Sequence, residues 1–346
     1  MTLIYFIFIL GITVFIHELG HFIFAKKAGV YVYEFSIGMG PVLWKKKSKK
    51  DETFYSIRLF PIGGFVSIAG EDDYTDTEVP KEKQLLFKPW KNRFLTMIAG
   101  VMFNFLLAIL LLFIVGISNG VPKYESKVAK IDAAYPLEAT NMRVGDKIIK
   151  YNHSNIHTTD KLVLLLTMNN GEEVTFLVEH EDKTKEKITV TPVKVEEDGE
   201  VSYRFGFELN NEKTHDILSL ITYPFQKTFS LIEQMVLILK NLILGNLSIN
   251  NLSGPVGIYT VVDAASKTGL INVIYLIAYL CINVGFINLI PFPAFDGGRA
   301  MFLIIEKIRG KRINPKTENM IHTIGFYLLM ALMVLITYND ILKLIG

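Results

Sequence analysis

The sequence predicts an α-helical, polytopic membrane protein with about four transmembrane helices, a β-hairpin in its first long loop and one inserted α+β domain. Half of the residues are hydrophobic and the mean hydropathy is +0.34, which is too apolar for an ordinary soluble globule. Four apolar runs are long enough to span a bilayer, and the stretch between the second and third changes to a mixed, soluble composition. Together these observations predict the fold class.

The predicted spans cover about residues 3–25, 94–117, 271–290 and 320–338. A cleaved signal peptide is the alternative for the first run. That run has no positively charged residues before its apolar core and no Ala-x-Ala site after it, so we expect a retained helix.

Positive charge follows the first and third spans, beginning with Lys26 and Lys27 and continuing in the lysine-rich segment 45–50. The positive-inside rule places these loops in the cytoplasm and both termini outside. The predicted division of the chain is a first helix at 1–25, a cytoplasmic loop at 26–93, a second helix at 94–117, an outer α+β domain at 118–200, a further outer region at 201–270, and the last two helices at 271–346.

Two of the loop regions carry their own secondary-structure signals. Residues 54–60 and 61–68 are predicted to form two short strands about a Pro/Gly turn, which makes a β-hairpin. Apolar residues recur at helical spacing over 216–244 with charged residues between them. This pattern favours an amphipathic helix on the outer surface over a fifth span.

The first span contains His17, Glu18 and His21. Residues four apart on a helix share a face, so the two imidazoles can bind one metal ion, with the glutamate beside it as a base. Catalytic zinc takes three protein ligands and keeps an open position for water. A chance match is the alternative, but three polar residues in one span are costly unless they are used.

Asp296 is the predicted third ligand. Pro291 and Pro293 interrupt the third span, and irregular backbone at membrane depth is tolerated only when it is buried in protein or lines a watery cavity. An aspartate in that break needs a counter-charge, which a metal supplies. The alternative is a structural aspartate that caps the next helix through Gly297 and Gly298.

The motif of residues 17–21 and the segment Asn288 to Gly298, which reads N-x-x-P-x-P-x-x-D-G-G, together resemble the bacterial site-two intramembrane zinc metalloproteases of the RseP/RasP type. The resemblance covers most of the chain. It implies that the hairpin is a membrane-associated element on the cytoplasmic side and that the inserted outer domain is PDZ-like. One such domain fits in the chain, and Asn141 and Met142 replace the Gly-Leu usual before its Gly-Asp turn.

The resemblance also implies a function. The family cuts transmembrane segments of single-pass proteins already shortened on their outer side, such as anti-sigma factors or signal-peptide remnants, in the bacterial cytoplasmic (inner) membrane. Zn²⁺ would be the cofactor and the active site would lie near the cytoplasmic side. The resemblance also implies that Asn288 hydrogen-bonds the substrate backbone. Independently of the resemblance, the hairpin, through Ile57 and Val66, is the candidate strand edge, because an extended peptide that adds to a strand edge exchanges helical hydrogen bonds for sheet ones.

Two alternative functions have less support in the sequence. A CAAX-processing type of zinc peptidase needs a glutamate as third ligand on a later helix, and the sequence has no such signature. A non-catalytic membrane scaffold would require that the two motifs occur together by chance. Asn104 is expected to join helices rather than to act in catalysis, and His322 and Cys281 are expected to pack. The near-neutral charge of +2, without a basic aromatic stripe, gives no argument for nucleic acid. The bilayer and membrane proteins are the expected partners.

Overall fold

The computed structural model describes residues 1–49, 51–71, 78–123, 126–197, 200–247 and 254–345, so Lys50 of the predicted basic segment lies outside the described residues. The α-helices are α1 (Thr2–Lys27), α2 (Trp90–Asn119), α3 (Thr159–Thr167), α4 (Ile217–Ile243), α5 (Pro255–Lys267), α6 (Leu270–Leu289), α7 (Asp296–Arg309) and α8 (Pro315–Ile345).

The strands are β1 (Val32–Lys47), β2 (Phe54–Ile68), β3 (Val121–Pro122), β4 (Val128–Ile131), β5 (Lys147–Tyr151), β6 (Ser154–Asn155), β7 (Val174–Glu179), β8 (Lys185–Val190), β9 (Val193–Glu197), β10 (Glu200–Arg204), β11 (Phe207–Leu209) and β12 (Lys213–Thr214).

Among the described residues, four helices are long and apolar enough to cross a membrane, namely α1, α2, α6 and α8. They coincide with the four predicted spans, which are confirmed as helices and extend a few residues further at most ends. The chain divides into two compact units, residues 1–115 with 239–346, and residues 116–238. Each unit is described by itself.

In the first unit, α1 and α2 approach closely through glycine. A Cβ atom on Gly20 would lie 2.4 Å from the Ala99 carbonyl oxygen, and one on Gly100 would lie 2.4 Å from His21 Nε2. Such distances are possible only without a side chain. Small residues of this kind let the backbones of membrane helices meet, and here they bring α2 against the histidine-bearing face of α1.

The loop between α1 and α2 forms a sheet from β1 and β2. Residues 32–37 pair antiparallel with 64–68, and residues 44–47 pair antiparallel with 54–57. Residues 34–37 also pair with 54–57, in a register where both residue numbers rise together. The predicted hairpin within 54–68 is therefore wrong in its pairing, because in the described sheet both halves of β2 pair with β1 and not with each other.

Glu34 joins three runs of this sheet. Its carboxylate accepts hydrogen bonds from Ser56 Oγ at 2.6 Å, Lys45 Nζ at 2.6 Å and Arg58 Nη2 at 2.7 Å. Burial of the carboxyl group opposes its ionisation, but these hydrogen bonds outweigh burial and lower the pKa of Glu34 to about 2. The group is therefore charged at neutral pH and ties the runs together.

The segment between α6 and α7 is irregular, as the two prolines predict, and Ala294 has φ +89°. Gly297 fits here because a Cβ atom would lie 2.4 Å from the carbonyl oxygens of Leu289 and Ile290. Two ion pairs hold α7 in place. Arg93 of α2 makes a bidentate contact with Glu306, at 2.9 and 2.5 Å, and Arg299 pairs with Glu71.

Helix α5 is not among the elements predicted from the sequence. Asp340 of α8, 4% exposed, accepts hydrogen bonds from the backbone N–H groups of Gly254 and Gly257, both at 2.8 Å. The carboxylate thus satisfies donors that a helix N-terminus leaves without an intrahelical partner. Thr2 Oγ1 also donates to Asp263 at 2.6 Å, which fastens α5 to the start of α1.

The second unit is a mixed α/β domain. Its four-stranded antiparallel sheet has the order β6-β5-β7-β8, and its buried core includes Leu137, Ile148, Leu162 and Phe176. Strand β11 pairs with β4 and its neighbour Phe205 belongs to the same core, so the predicted boundary at residue 200 is too early. Strands β3 and β12 pair where the chain enters and leaves the domain.

Helix α4 lies against this domain with polar side chains. Lys227 Nζ pairs with Asp160 at 2.8 Å, and Glu233 pairs with Lys161 at 2.7 Å. Ser230 Oγ donates to Asp160 at 3.0 Å. The opposite side of α4 exposes apolar side chains, which include Ile217, Ile221, Phe225, Phe229 and Val236.

Candidate metal centre

His17 and His21 lie one helical turn apart on α1, and both are only 8% exposed. Their Nε2 atoms are 3.2 Å apart, which means that two ring nitrogens face the same point. The run is helical because its residues are almost all apolar and unbroken by proline, so the spacing in the sequence becomes a shared face.

Asp296 reaches the same point from the first residue of α7. Its Oδ2 atom lies 3.0 Å from His17 Nε2 and 3.1 Å from His21 Nε2. The three ligand atoms all lie within 4.8 Å of one another, and within the described ranges this is the single such group of histidine, cysteine or carboxylate side chains.

The donor set fits zinc. Zinc bonds of 2.0–2.2 Å to nitrogen and oxygen at tetrahedral angles place the ligand atoms roughly 3.3 Å apart. The observed separations of 3.0 to 3.2 Å among His17, His21 and Asp296 are close to this value. Three protein ligands leave a fourth position for water, as catalytic zinc sites require.

Helix α2 contacts the far side of both imidazoles. His21 Nδ1 lies 2.8 Å from the Thr96 carbonyl oxygen, which can only accept, so Nδ1 carries a proton. In the neutral imidazole that a metal requires, Nε2 then has the free lone pair. His17 Nδ1 lies 3.3 Å from Nδ2 of Asn104, which is fully buried. Sequence reasoning missed this contact, although a lone amide in an apolar span was a signal.

Glu18 lies beside the three ligands and against β2. The backbone N–H of Val66 is its hydrogen-bond partner. Gly64 also lies close to Glu18, since a Cβ atom built on it would lie 3.5 Å from Glu18 Cγ. The run 64–68 therefore passes the candidate base.

The three predicted substrate-binding residues, Val66, Ile57 and Asn288, lie in different structural settings. Val66 lies on the run 64–68, which in the described sheet is paired on one side only, with 32–37. Ile57 pairs with both Ile37 and Trp44, so its backbone cannot be the free edge that the sequence predicts. The Asn288 amide donates to the Val284 carbonyl of its own helix at 3.0 Å.

Two further polar residues stay outside the cluster of ligands. His322 Nδ1 accepts a hydrogen bond from the Ala294 N–H at 3.3 Å, behind the irregular segment. Cys281 is buried with its Sγ 3.8 Å from Thr13 Oγ1. Both contacts agree with the packing roles expected of these residues.

The profile of peptidase family M50 matches residues 5–332. The chain belongs to peptidase family M50. The zinc metalloprotease RasP of Oceanobacillus iheyensis and the regulator of sigma-W protease RasP of Bacillus subtilis are each 32% identical to it, and each alignment covers 99% of both chains. A putative zinc metalloprotease of Clostridium acetobutylicum is 35% identical over 96% of this chain and 94% of its own length.

This M50 peptidase is thus an intramembrane zinc metalloprotease of the site-two, RseP/RasP type. Its metal is Zn²⁺ and it is an integral membrane protein. The resemblance drawn from its two motifs is confirmed.

Proposed function

We propose that His17, His21 and Asp296 hold the zinc and that Glu18 is the catalytic base, in the hydrolysis of peptide bonds within transmembrane segments. The observation that carries this proposal is the meeting of three ligand atoms within 4.8 Å, contributed by two helices far apart in sequence. The buried setting strengthens every electrostatic interaction at the site.

The metal and the residues around it have separate roles in peptide hydrolysis. Bound zinc supplies Lewis-acid polarisation of a water molecule. Glu18 takes the proton of that water and later delivers it to the leaving amine. The Val66 N–H fixes the orientation of the Glu18 carboxylate, while Thr96 fixes the ring of His21.

The test compares metal content with proteolysis. Glu18→Gln keeps all three ligands, so we expect full zinc content by metal analysis and loss of cleavage of a membrane substrate. His21→Ala and Asp296→Ala each remove a ligand, so both zinc and cleavage are lost. Cleavage by Glu18→Gln at a rate comparable with the wild type would show that another group is the base.

We further propose that the substrates are single-pass membrane proteins already trimmed on the outer side, such as anti-sigma factors or signal-peptide remnants. The Bacillus subtilis relative is named regulator of sigma-W protease RasP, and this name supports the proposed substrate class. The proposed location is the bacterial cytoplasmic membrane, with both termini and the inserted domain outside and the zinc near the cytoplasmic side. The basic loops after α1 and α7 support this orientation.

An extended substrate would add to the run 64–68. Peptide hydrolysis inside a helix is obstructed because the backbone groups are already hydrogen-bonded, and adding to a strand edge exchanges those bonds for sheet bonds. The side of this run that has no partner strand in the described sheet lies toward Glu18 at Val66, so an added strand would pass the base. Asn288 would serve by turning its amide from Val284 to the substrate backbone.

Photocrosslinking tests this edge without breaking the sheet. A photoreactive amino acid at Val66, in the Glu18→Gln background that binds without turnover, is expected to crosslink a membrane substrate. The matched control is the same amino acid at Trp44, on the run at the other side of the sheet. Equal crosslinking from the two positions, or crosslinking from Trp44 alone, would contradict the proposed edge.

Exposed apolar side chains support two contacts with the lipid bilayer. The β1–β2 sheet exposes Met39, Leu43, Trp44 and Phe60. The apolar side of α4 is exposed while its polar side holds the mixed domain. We propose that both elements lie at the membrane surface, α4 on the outer side, and that the outer domain is PDZ-like and restricts substrates by size.

A further inference from the structure

Asn104 lies at the middle of α2 with its side chain against His17. The residue is 0% exposed, and its Nδ2 atom is 3.3 Å from His17 Nδ1. Its Oδ1 atom is also buried and has no hydrogen-bond partner among the residues that the structure describes. A buried amide oxygen in this state has lost its hydrogen bonds to water and gained none in exchange, which destabilises the arrangement.

The chemistry of a metal-binding imidazole resolves this arrangement. A neutral histidine that ligates through Nε2 carries its proton on Nδ1, so Nδ1 of His17 can only donate. An amide NH₂ group facing that N–H would oppose two donors. A half-turn of the Asn104 amide exchanges its oxygen and nitrogen within nearly the same shape, and then Oδ1 accepts from His17 Nδ1. The buried oxygen is satisfied and the clash of donors is removed.

We propose that Asn104 is a positioning residue of the zinc site, whose Oδ1 accepts a hydrogen bond from His17 Nδ1–H. The bond holds the tautomer and the ring plane of His17. The proposal rests on the ligand set given above and adds to it a residue that does not touch metal or substrate.

The other histidine shows the same arrangement. Thr96 supplies a carbonyl acceptor to His21 Nδ1 at 2.8 Å. Positions 96, 100 and 104 lie on one face of α2 at successive helical turns. At the middle position, Gly100 leaves room for both rings. One face of α2 therefore supplies an acceptor to each imidazole.

The opposite polarity makes a different prediction. If the Asn104 NH₂ group donated to His17 Nδ1, the ring proton would sit on Nε2, where it would face Asp296 and block ligation. A carboxylate at position 104 distinguishes the two polarities, because it accepts and cannot donate.

The experiment measures zinc affinity by competition with a chelator in the purified, full-length protein. Asn104→Leu has a similar volume and no acceptor, so its zinc affinity is expected to fall roughly 10–100-fold, as for the loss of other partners of metal-binding histidines. Asn104→Asp keeps an acceptor and is expected to keep the affinity. The matched control is Asn283→Leu, which removes a side-chain amide of α6 that bonds only its own helix in the described structure and should bind zinc normally.

Two results would overturn the proposal. One is wild-type affinity in Asn104→Leu, and the other is an Asn104→Asp variant as weak as Asn104→Leu. His17→Ala separates this proposal from the ligand set. If His17→Ala loses zinc while Asn104→Leu does not, only the role of Asn104 fails. If His17→Ala keeps a full equivalent of zinc, the ligand set and the role of Asn104 both fail.

Discussion

At the scale of single residues, two glycines decide whether the site can form. Gly20 and Gly100 have no Cβ atom where one would strike the neighbouring helix or the imidazoles. The histidine rings therefore depend on the closeness of α1 and α2 for their contacts with Thr96 and Asn104.

Gly100→Ala should remove zinc binding. The added methyl would lie 2.4 Å from His21 Nε2 and 2.7 Å from His17 Cε1, so the rings must move from their shared point. We expect overpacking to destabilise the fold by about 1–3 kcal/mol and metal analysis to find little zinc. Gly285→Ala is the control, because its methyl would meet Phe105 at an ordinary 3.4 Å. Normal zinc content in Gly100→Ala would mean that α2 can retreat without loss of the site.

The sequence predicted the residues that meet here better than it predicted their surroundings. His17 and His21 follow from helical periodicity, which is local, and Asp296 from a proline-broken span. The contact of Asn104 with His17 depends on how α1 and α2 are placed against each other, which no local pattern contains. The same is true of Ile57, whose place inside the sheet depends on partners in β1.

At the scale of elements, α7 carries the candidate ligand Asp296, and side chains from outside the helix hold it in position. Arg93 and Glu306 fasten it to α2 with two parallel hydrogen bonds, and Arg299 fastens its first turn to Glu71. Arg93 is 7% exposed, so its guanidinium depends on this partner.

Glu306→Gln should loosen α7. Removing one charge of a pair that is largely buried costs about 3–5 kcal/mol, and the loss should appear as a lower unfolding temperature with weaker zinc binding. The control is Glu208→Gln, which breaks an ion pair with Lys130. The side chains of Lys130 and Glu208 are 67% and 70% exposed, so this change should alter neither the unfolding temperature nor zinc binding. Equal effects of the two variants would show that the Arg93–Glu306 pair contributes no more to stability and zinc binding than an exposed ion pair does.

The elements also show what sequence patterns can and cannot specify. The four spans are predicted because a long apolar run is a property of adjacent residues. The pairing of β2 with β1 is not, since alternation marks a strand without naming its partner. Helix α5 was not predicted, and the residue that caps its N-terminus, Asp340, is distant in sequence.

At the scale of the whole molecule, the chain combines a membrane part with a domain that begins and ends at one place. Strands β3 and β12 pair, and the Lys123 N–H donates to the Glu212 carbonyl at 3.0 Å. Membrane class was predictable from composition, whereas the end of the inserted domain was not, because β11 completes a core that starts at β4.

Replacing residues 124–211 by a short Gly/Ser linker should leave the membrane part folded and zinc-bound, because the two chain ends already lie side by side. If the domain restricts substrates by size, this variant cleaves untrimmed membrane proteins that the wild type rejects, in a comparison of full-length and shortened forms of one substrate. Glu18→Gln in the same background controls for contaminating proteases. Continued rejection of the untrimmed form would place the restriction elsewhere.

The pairing of β3 with β12 has an evolutionary consequence. A gene segment inserted or exchanged between these two strands changes the inserted domain and leaves its paired entry and exit strands in place. If the inserted domain restricts substrates as proposed above, substrate range can diversify by exchange of the segment between β3 and β12, while the residues of the zinc site stay unchanged.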